Sequence, residues 1–289
     1  MANLKEVRTR IESVKSTRQI TSAMKLVAAS KLRKAQNAVL AIRPYANKLK
    51  EIMSDLSSSI GEENAFVRKS EDKKILIVVF TSNKGLCGPF NTHVIKKSVK
   101  LIEEKYGAQH AKGNVHIISF GKKSSDYFEK NKYPFDGRKD KVFDNITFQE
   151  VSSVAEDIMK SFVEGTYDRV EIVYNKFVNA ASQIVVVENY LPLESAESTS
   201  SIQADYIFEP SKKEIVTELI PKTLKVQLYK SILDSNAAEN GARMTAMHMA
   251  TDNATQMIKD LQLSYNKARQ EAITNEILEV VSGAEALNG

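Results

Sequence analysis

The residues best placed to do chemistry lie between positions 81 and 91. Thr81-Ser82-Asn83-Lys84-Gly85-Leu86-Cys87-Gly88-Pro89-Phe90-Asn91 follows an apolar run and precedes a helical pattern, the position at which open α/β sheets carry phosphate-binding loops. Its glycines read G-x-x-G followed by proline, not G-x-G-x-x-G, and no G-K-[ST] follows. A tight turn is therefore the expected role. Cys87 is the chain's one cysteine, which excludes an intramolecular disulfide and a Cys-cluster zinc site. With no base indicated beside it, it is expected to be an inert small side chain and not a nucleophile. His93, His110, His116 and His248 show no metal-ligand spacing, and His116, on an apolar strand, is expected in the core. The carboxylates form no recognisable acid/base pair. No catalytic residue, metal ligand or cofactor site is expected.

The loop must be positioned by a sheet. Ile75-Leu76-Ile77-Val78-Val79-Phe80 is a continuous apolar run, the pattern of a parallel strand buried on both faces. Further strands are expected at 115–120, 169–177 and 183–190, the last antiparallel to its predecessor because the connection is short. Helices are expected at 90–106, 122–131 and 148–164. This alternation predicts an open, Rossmann-like α/β domain over 73–208. Polar segments at 57–72 and 191–205 bound it.

The domain is inserted between two helical ends. From Ala2 to Arg43 the sequence has no Gly or Pro. Positions Leu4, Val7, Ile11, Val14, Arg18, Thr21, Lys25, Ala28, Leu32, Ala35, Val39, Ile42, Ala46, Leu49, Met53, Leu56 and Ile60 keep alternating steps of three and four. That narrow stripe marks a helix packed on another helix in a left-handed coiled coil. Pro44 is expected to bend the helix without ending it. In the C-terminal segment Pro221 is expected as a helix start. Met247, Ala250, Ala254, Met257, Leu261, Ser264 and Ala268 are the expected seam, followed by Ile273, Ile277 and Val280. At 1.5 Å per residue the two helices would run roughly 80 and 90 Å. Neither can bury its stripe alone, so segments 1–60 and 211–289 are expected to pair antiparallel. With flush ends, facing residue numbers would sum to about 290, placing the polar break Arg18–Lys25 opposite 265–272, near Glu271. Gly241 is expected to cost helix stability, roughly 1 kcal/mol if exposed.

Charge narrows the partners. Residues 1–60 carry 12 Lys+Arg against 4 Asp+Glu, whereas the whole chain is only +5. A basic helix suits an acidic protein surface, a headgroup layer or nucleic acid, but no aromatic interleaving or reader motif accompanies these cations. No stretch approaches 18 apolar residues, so membrane association would be peripheral. No signal or transit leader is evident. The alternatives left open are a nucleotide-dependent α/β enzyme with a coiled-coil arm and a nucleic-acid-binding coiled coil.

Met24-Lys25-Leu26-Val27-Ala28-Ala29-Ser30-Lys31-Leu32-Arg33, Gly85–Asn91, Ala242-Arg243-Met244-Thr245-Ala246-Met247, Leu263–Gln270 and Ile273–Ala284 together resemble the gamma subunit of F-type ATP synthases, over essentially the whole chain. The resemblance implies a non-catalytic rotor shaft inside a hexamer of three alpha and three beta subunits, its foot on the epsilon subunit and the membrane ring of c subunits. The complex would make ATP from proton flow, or pump protons in reverse, peripherally at the cytoplasmic face of a bacterial cell membrane. By position, Met24, Lys25, Arg243, Arg269, Gln270, Thr274 and Glu276 would meet the catalytic subunits. Lys84, Gly85 and Tyr206 would meet the c ring or epsilon. No cofactor, metal or nucleic acid is implied for this chain.

Overall fold

A computed structural model describes residues 4–56, 65–67, 72–193 and 212–288. All six residues of β1 (Ile75–Phe80) are buried. At about 1.5–3 kcal/mol per fully buried aliphatic side chain, this run anchors the sheet. β2 (Val115–Phe120), β3 (Phe135–Arg138), β4 (Arg169–Phe177) and β5 (Gln183–Leu191) complete five strands in the order β3-β2-β1-β4-β5. β5 alone runs antiparallel, paired with β4; the other pairings are parallel.

Helices cover both faces. Ile75, Ile77 and Val79 pack with Val94 and Ile102 of α2 (Phe90–Lys105) and Phe128 of α4 (Lys122–Lys130). α3 (Gly107–Ala111) is a single turn between α2 and β2. Leu76, Val78 and Phe80 pack with Val151, Ala155 and Phe162 of α5 (Phe148–Val163) and with Ile220, Leu224, Leu228 and Ile232. The alternation of β1 between the two clusters is the period-two geometry of a strand buried on both sides. The Thr147 hydroxyl caps α5 by accepting from Glu150 N at 3.3 Å. Gly121, at φ 106, ends β2, and a Cβ there would lie 2.1 Å from Thr81 O.

The terminal segments form α1 (Leu4–Leu56) and α6 (Lys212–Asn288). α1 continues through Pro44. Pro221 is interior to α6, which is helical from Lys212, so it does not start the helix. Two compact units arise: residues 1–27 with 244–289, and residues 28–243. Each long helix thus contributes to both units.

In the first unit the helices pair antiparallel. Thr251 Oγ1 donates to Thr21 Oγ1 at 2.9 Å, and Lys25 Nζ lies 3.4 Å from His248 Nδ1. These pairs sum to 272 and 273, not 290. The polar break faces Thr251 and His248, and the expected apposition to 265–272 and Glu271 does not occur, because the ends are not flush. Leu4 stands level with residue 268 in this register, and 273–284 have no α1 residue beside them among those described.

The seam of α1 is as its pattern requires: every expected position from Leu4 to Met53 is buried or half-buried. That of α6 is shifted at two positions: Met247, Ala254 and Ile258 are buried and Ala250, Thr251, Leu261, Tyr265, Ala268 and Ala272 half-buried, whereas Met257 and Ser264 are exposed. Apolar residues sit side by side at 257 and 258, and the sequence alone does not choose between them. Ile273, Ile277 and Val280 are exposed and form no seam.

In the second unit residues 231–242 of α6 are buried on nearly every side. Gly241 belongs to this stretch. Its missing Cβ would lie 3.2 Å from Ala180 O in the β4–β5 turn. Glycine therefore permits a close approach, and a solvent-exposed soft spot is not what it makes. Among the described residues no helix is long and apolar enough to cross a membrane.

Candidate functional site

The loop after β1 is closed upon itself. Ser82 N donates to Asn91 Oδ1 at 2.9 Å, while Ser82 Oγ donates to Lys84 O at 2.6 Å and accepts from Asn91 Nδ2 at 2.8 Å. Asn91 Nδ2 donates to Cys87 Sγ at 3.2 Å. Asn83 ties the loop to the neighbouring segments, donating to Asp140 O at 2.9 Å and accepting from Lys122 N at 3.0 Å. Three backbone donors at the loop and the start of α2 are occupied by the protein's own acceptors: Ser82 N by Asn91, Phe90 N by Cys87 O, His93 N by Pro89 O. This is turn geometry. Cys87 is 1% exposed, and burial pushes its thiol above the ordinary value, with Ser82 and Arg243 opposing. The thiolate that nucleophilic chemistry needs is thereby disfavoured.

Arg243 closes the loop from α6. Its Nη1 donates to Glu239 Oε1 at 2.6 Å, and its Nη2 donates to Lys84 O at 3.0 Å and Gly85 O at 3.3 Å. Burial raises the Glu239 carboxyl above its ordinary value, and Arg243 and Lys31 pull it back down. Arg243 was expected with one set of contacts and Lys84 and Gly85 with another; the structure brings the three into one cluster. Glu239, one helical turn before Arg243, was not anticipated, although its i,i+4 spacing was visible. Leu86, at the loop's tip, has φ 62 and is 64% exposed.

The remaining expected residues lie apart. Lys25 meets His248, which also pairs with Asp252 at 3.3 Å. Met24 is half-buried on the same helix. Arg269, Gln270, Thr274 and Glu276 are all exposed, and the Thr274 hydroxyl donates back to Gln270 O at 2.9 Å. Helical spacing sets Gln270 with Thr274, and Arg269 with Glu276, on adjoining strips of one face. Tyr206 lies outside the described residues. His116 is not a core residue. It is partly exposed on β2, between β1 and β3, and lies 2.9 Å from Asp136, which sits at a register shift of β3 and also accepts from the Tyr167 hydroxyl.

Also unanticipated is Arg43, which joins the three segments of the second unit. Its Nη2 donates to Phe177 O at 3.1 Å and to Asp234 Oδ1 at 3.2 Å. No local pattern signals such a pair, because the partners stand 191 residues apart.

These features define a class: an α/β domain inserted between terminal helices that pair antiparallel, with the Arg243 cluster spent on holding the chain's own loop. The family model for ATP synthase matches residues 3–287. The ATP synthase gamma chain of Flavobacterium johnsoniae is 54% identical over 292 residues, covering 100% of both chains. That of Cytophaga hutchinsonii is 50% identical, again over 100% of both. A chain of the central stalk and c-ring structure of Tetrahymena thermophila mitochondrial ATP synthase is 25% identical, with a TM-score of 0.59 over 80% of this chain and 99% of that one. A chain of the Euglena gracilis enzyme shares the fold, with a TM-score of 0.71 at 23% identity over 98% and 94%. The chain belongs to the gamma-chain family of the F-type ATP synthases. Its role is that of the central rotor shaft.

Proposed function

We propose that this shaft couples rotation of a membrane c ring to nucleotide affinity in a surrounding hexamer of three alpha and three beta subunits, and has no catalysis of its own. What carries the proposal is the far end of α6. Ile273, Ile277, Leu278, Val280 and Val281 are 47–72% exposed, with no α1 residue beside them among those described. A run of large apolar side chains of this kind marks a protein contact, and a collar of subunits would supply it. The excess of cations in residues 1–60 suits acidic surfaces on that collar.

In this arrangement Met24, Lys25, Arg269, Gln270, Thr274 and Glu276 face the catalytic subunits. Arg243, Lys84 and Gly85, being one cluster, serve the same coupling, and Tyr206 rests on the c ring or epsilon. Segments 1–60 and 211–289 act as the axle, and 73–208 as the foot domain. The complex sits peripherally at the cytoplasmic face of the membrane, making ATP or pumping protons in reverse.

The test is a reconstituted complex in vesicles carrying Met24→Lys. A second cation beside Lys25 would form ion pairs whose strength changes as the shaft turns. Protons pumped per ATP hydrolysed should fall. An unchanged ratio counts against the contact assignment, and failure of the chain to assemble with alpha and beta subunits into an ATPase counts against the whole proposal.

A further inference from the structure

The two long helices are fastened to the α/β domain in different ways. α6 places Ile220, Leu224, Leu228 and Ile232 in the sheet's core, and its Leu224 O accepts from the Tyr190 hydroxyl of β5 at 3.0 Å. Further along, its Arg243 holds the carbonyls of Lys84 and Gly85. α1 lays Ile52 and Met53, both half-buried, against the same core. Apolar contact resists separation but has no preferred direction, so it yields to sliding and twisting. Hydrogen bonds are directional and resist both.

Arg43 supplies that directional link for α1. A single nitrogen, Nη2, donates to Phe177 O, at the last residue of β4, at 3.1 Å and to Asp234 Oδ1 of α6 at 3.2 Å. The Asp234 side chain is fully buried and Phe177 is buried too, so water does not readily replace either acceptor. A charge-assisted bond in such surroundings is stronger than a neutral one. The planar guanidinium cannot turn without giving up one of the two bonds. A helix, a strand end and a second helix thus meet on one nitrogen atom. Both helices run on from the second unit into the first.

We propose that Arg43 is a positioning residue for torque. By binding Phe177 O and Asp234 together it locks α1 to the α/β domain and to α6, so that torque on that domain enters both helices and not α6 alone. This rests on the chain's role as a rotor shaft. It gives Arg43 a task that needs no contact with another subunit.

The test uses the complete complex, with alpha and beta subunits fixed to a surface and a probe on Tyr127→Cys in α4. With hydrolysis halted by a non-hydrolysable ATP analogue, the thermal swings of the probe report torsional stiffness, their variance being inverse to it. Two helices loaded in parallel share the torque, so releasing α1 in Arg43→Gln should raise the variance about twofold. Arg43→Lys keeps the charge but ends one bond short of Nη2, and should raise it as well. Val94→Ala opens the core on the other face of the sheet and should lower the thermal midpoint while the variance holds. An Arg43 with a merely structural role would behave as Val94 does.

A parental variance in either Arg43 variant overturns the proposal. So does failure of both to assemble, which would give the residue a part in folding and none in torque. A raised variance in Val94→Ala also overturns it, because stiffness would then only mirror stability. If the parental probe turns with ATP and the Arg43 variants keep its variance, this proposal alone falls; if the parental probe never turns, the shaft role falls with it.

Discussion

Asp234 shows how a single carboxylate reports the packing around it. Its side chain is fully buried, Oδ1 accepts from Arg43, and Oδ2 has no hydrogen-bond partner among the described residues. Burial raises its pKa above the ordinary 3.8, and the pull of Arg43 only partly offsets this. A carboxyl whose folded value is raised contributes stability that is fully present below the unfolded value and is lost as pH rises through the folded one. Asp234→Asn removes that dependence. The variant's stability relative to the parent should therefore increase as pH rises from below 3.8 towards neutrality, in urea unfolding of the full chain at a series of pH values. A difference that stays flat or runs the other way would show that the ion pair with Arg43 outweighs burial. Arg43 and Asp234 illustrate what the sequence withheld. Each is an ordinary charge in its own helix, and only the tertiary pairing of α1 with α6 makes them partners. The Arg243–Glu239 pair was legible from spacing, but its attachment to the Lys84 and Gly85 carbonyls was not, since backbone acceptors leave no signature in residue type.

At the scale of elements, the long apolar runs were legible and the short polar ones were not. β1, β2 and β4 stand where continuous hydrophobic stretches require them, with β5 antiparallel as its short connection implies. β3, Phe-Asp-Gly-Arg, has neither an apolar run nor alternation and gave no sign of itself. The α1 seam was readable because its three-and-four spacing runs unbroken for the whole helix, even though apolar Ile20, Leu26, Val27 and Leu40 adjoin it and stay exposed. The α6 seam was not, because Met257 and Ile258 adjoin. The two are now distinguishable by experiment. Ile258 is 6% exposed and Met257 45%, so Ile258→Ala should cost about 2 kcal/mol or more, whereas Met257→Ala should stay within about 0.5 kcal/mol of the parent. Equal losses in chemical denaturation would refute the shifted seam. Gly241 makes a second test. Alanine there gains about 1 kcal/mol of helix propensity but meets Ala180 O at 3.2 Å, leaving little net change. Gly241→Val overfills the contact and should lower stability by about 1–3 kcal/mol. A stable valine variant would mean the β4–β5 turn yields freely.

At the scale of the whole molecule, the division of labour follows from where apolar surface is left over. The sheet and the middle of α6 bury theirs internally, and the loop after β1 spends its polar groups on itself. The end of α6 and Leu86 keep apolar surface outward. Apolar surface left outward marks contact with other chains, and it was the helical patterns in the sequence that pointed to a family. The central claim is that this chain turns within its neighbours. The direct measurement attaches a visible probe to an exposed residue of α4, such as Tyr127→Cys, in a complex whose alpha and beta subunits are fixed to a surface. Cys87, being buried, leaves the new thiol as the reactive one. With ATP supplied, the probe should rotate in one direction and stop when hydrolysis stops. A probe that stays still while the same complexes hydrolyse ATP would contradict the account.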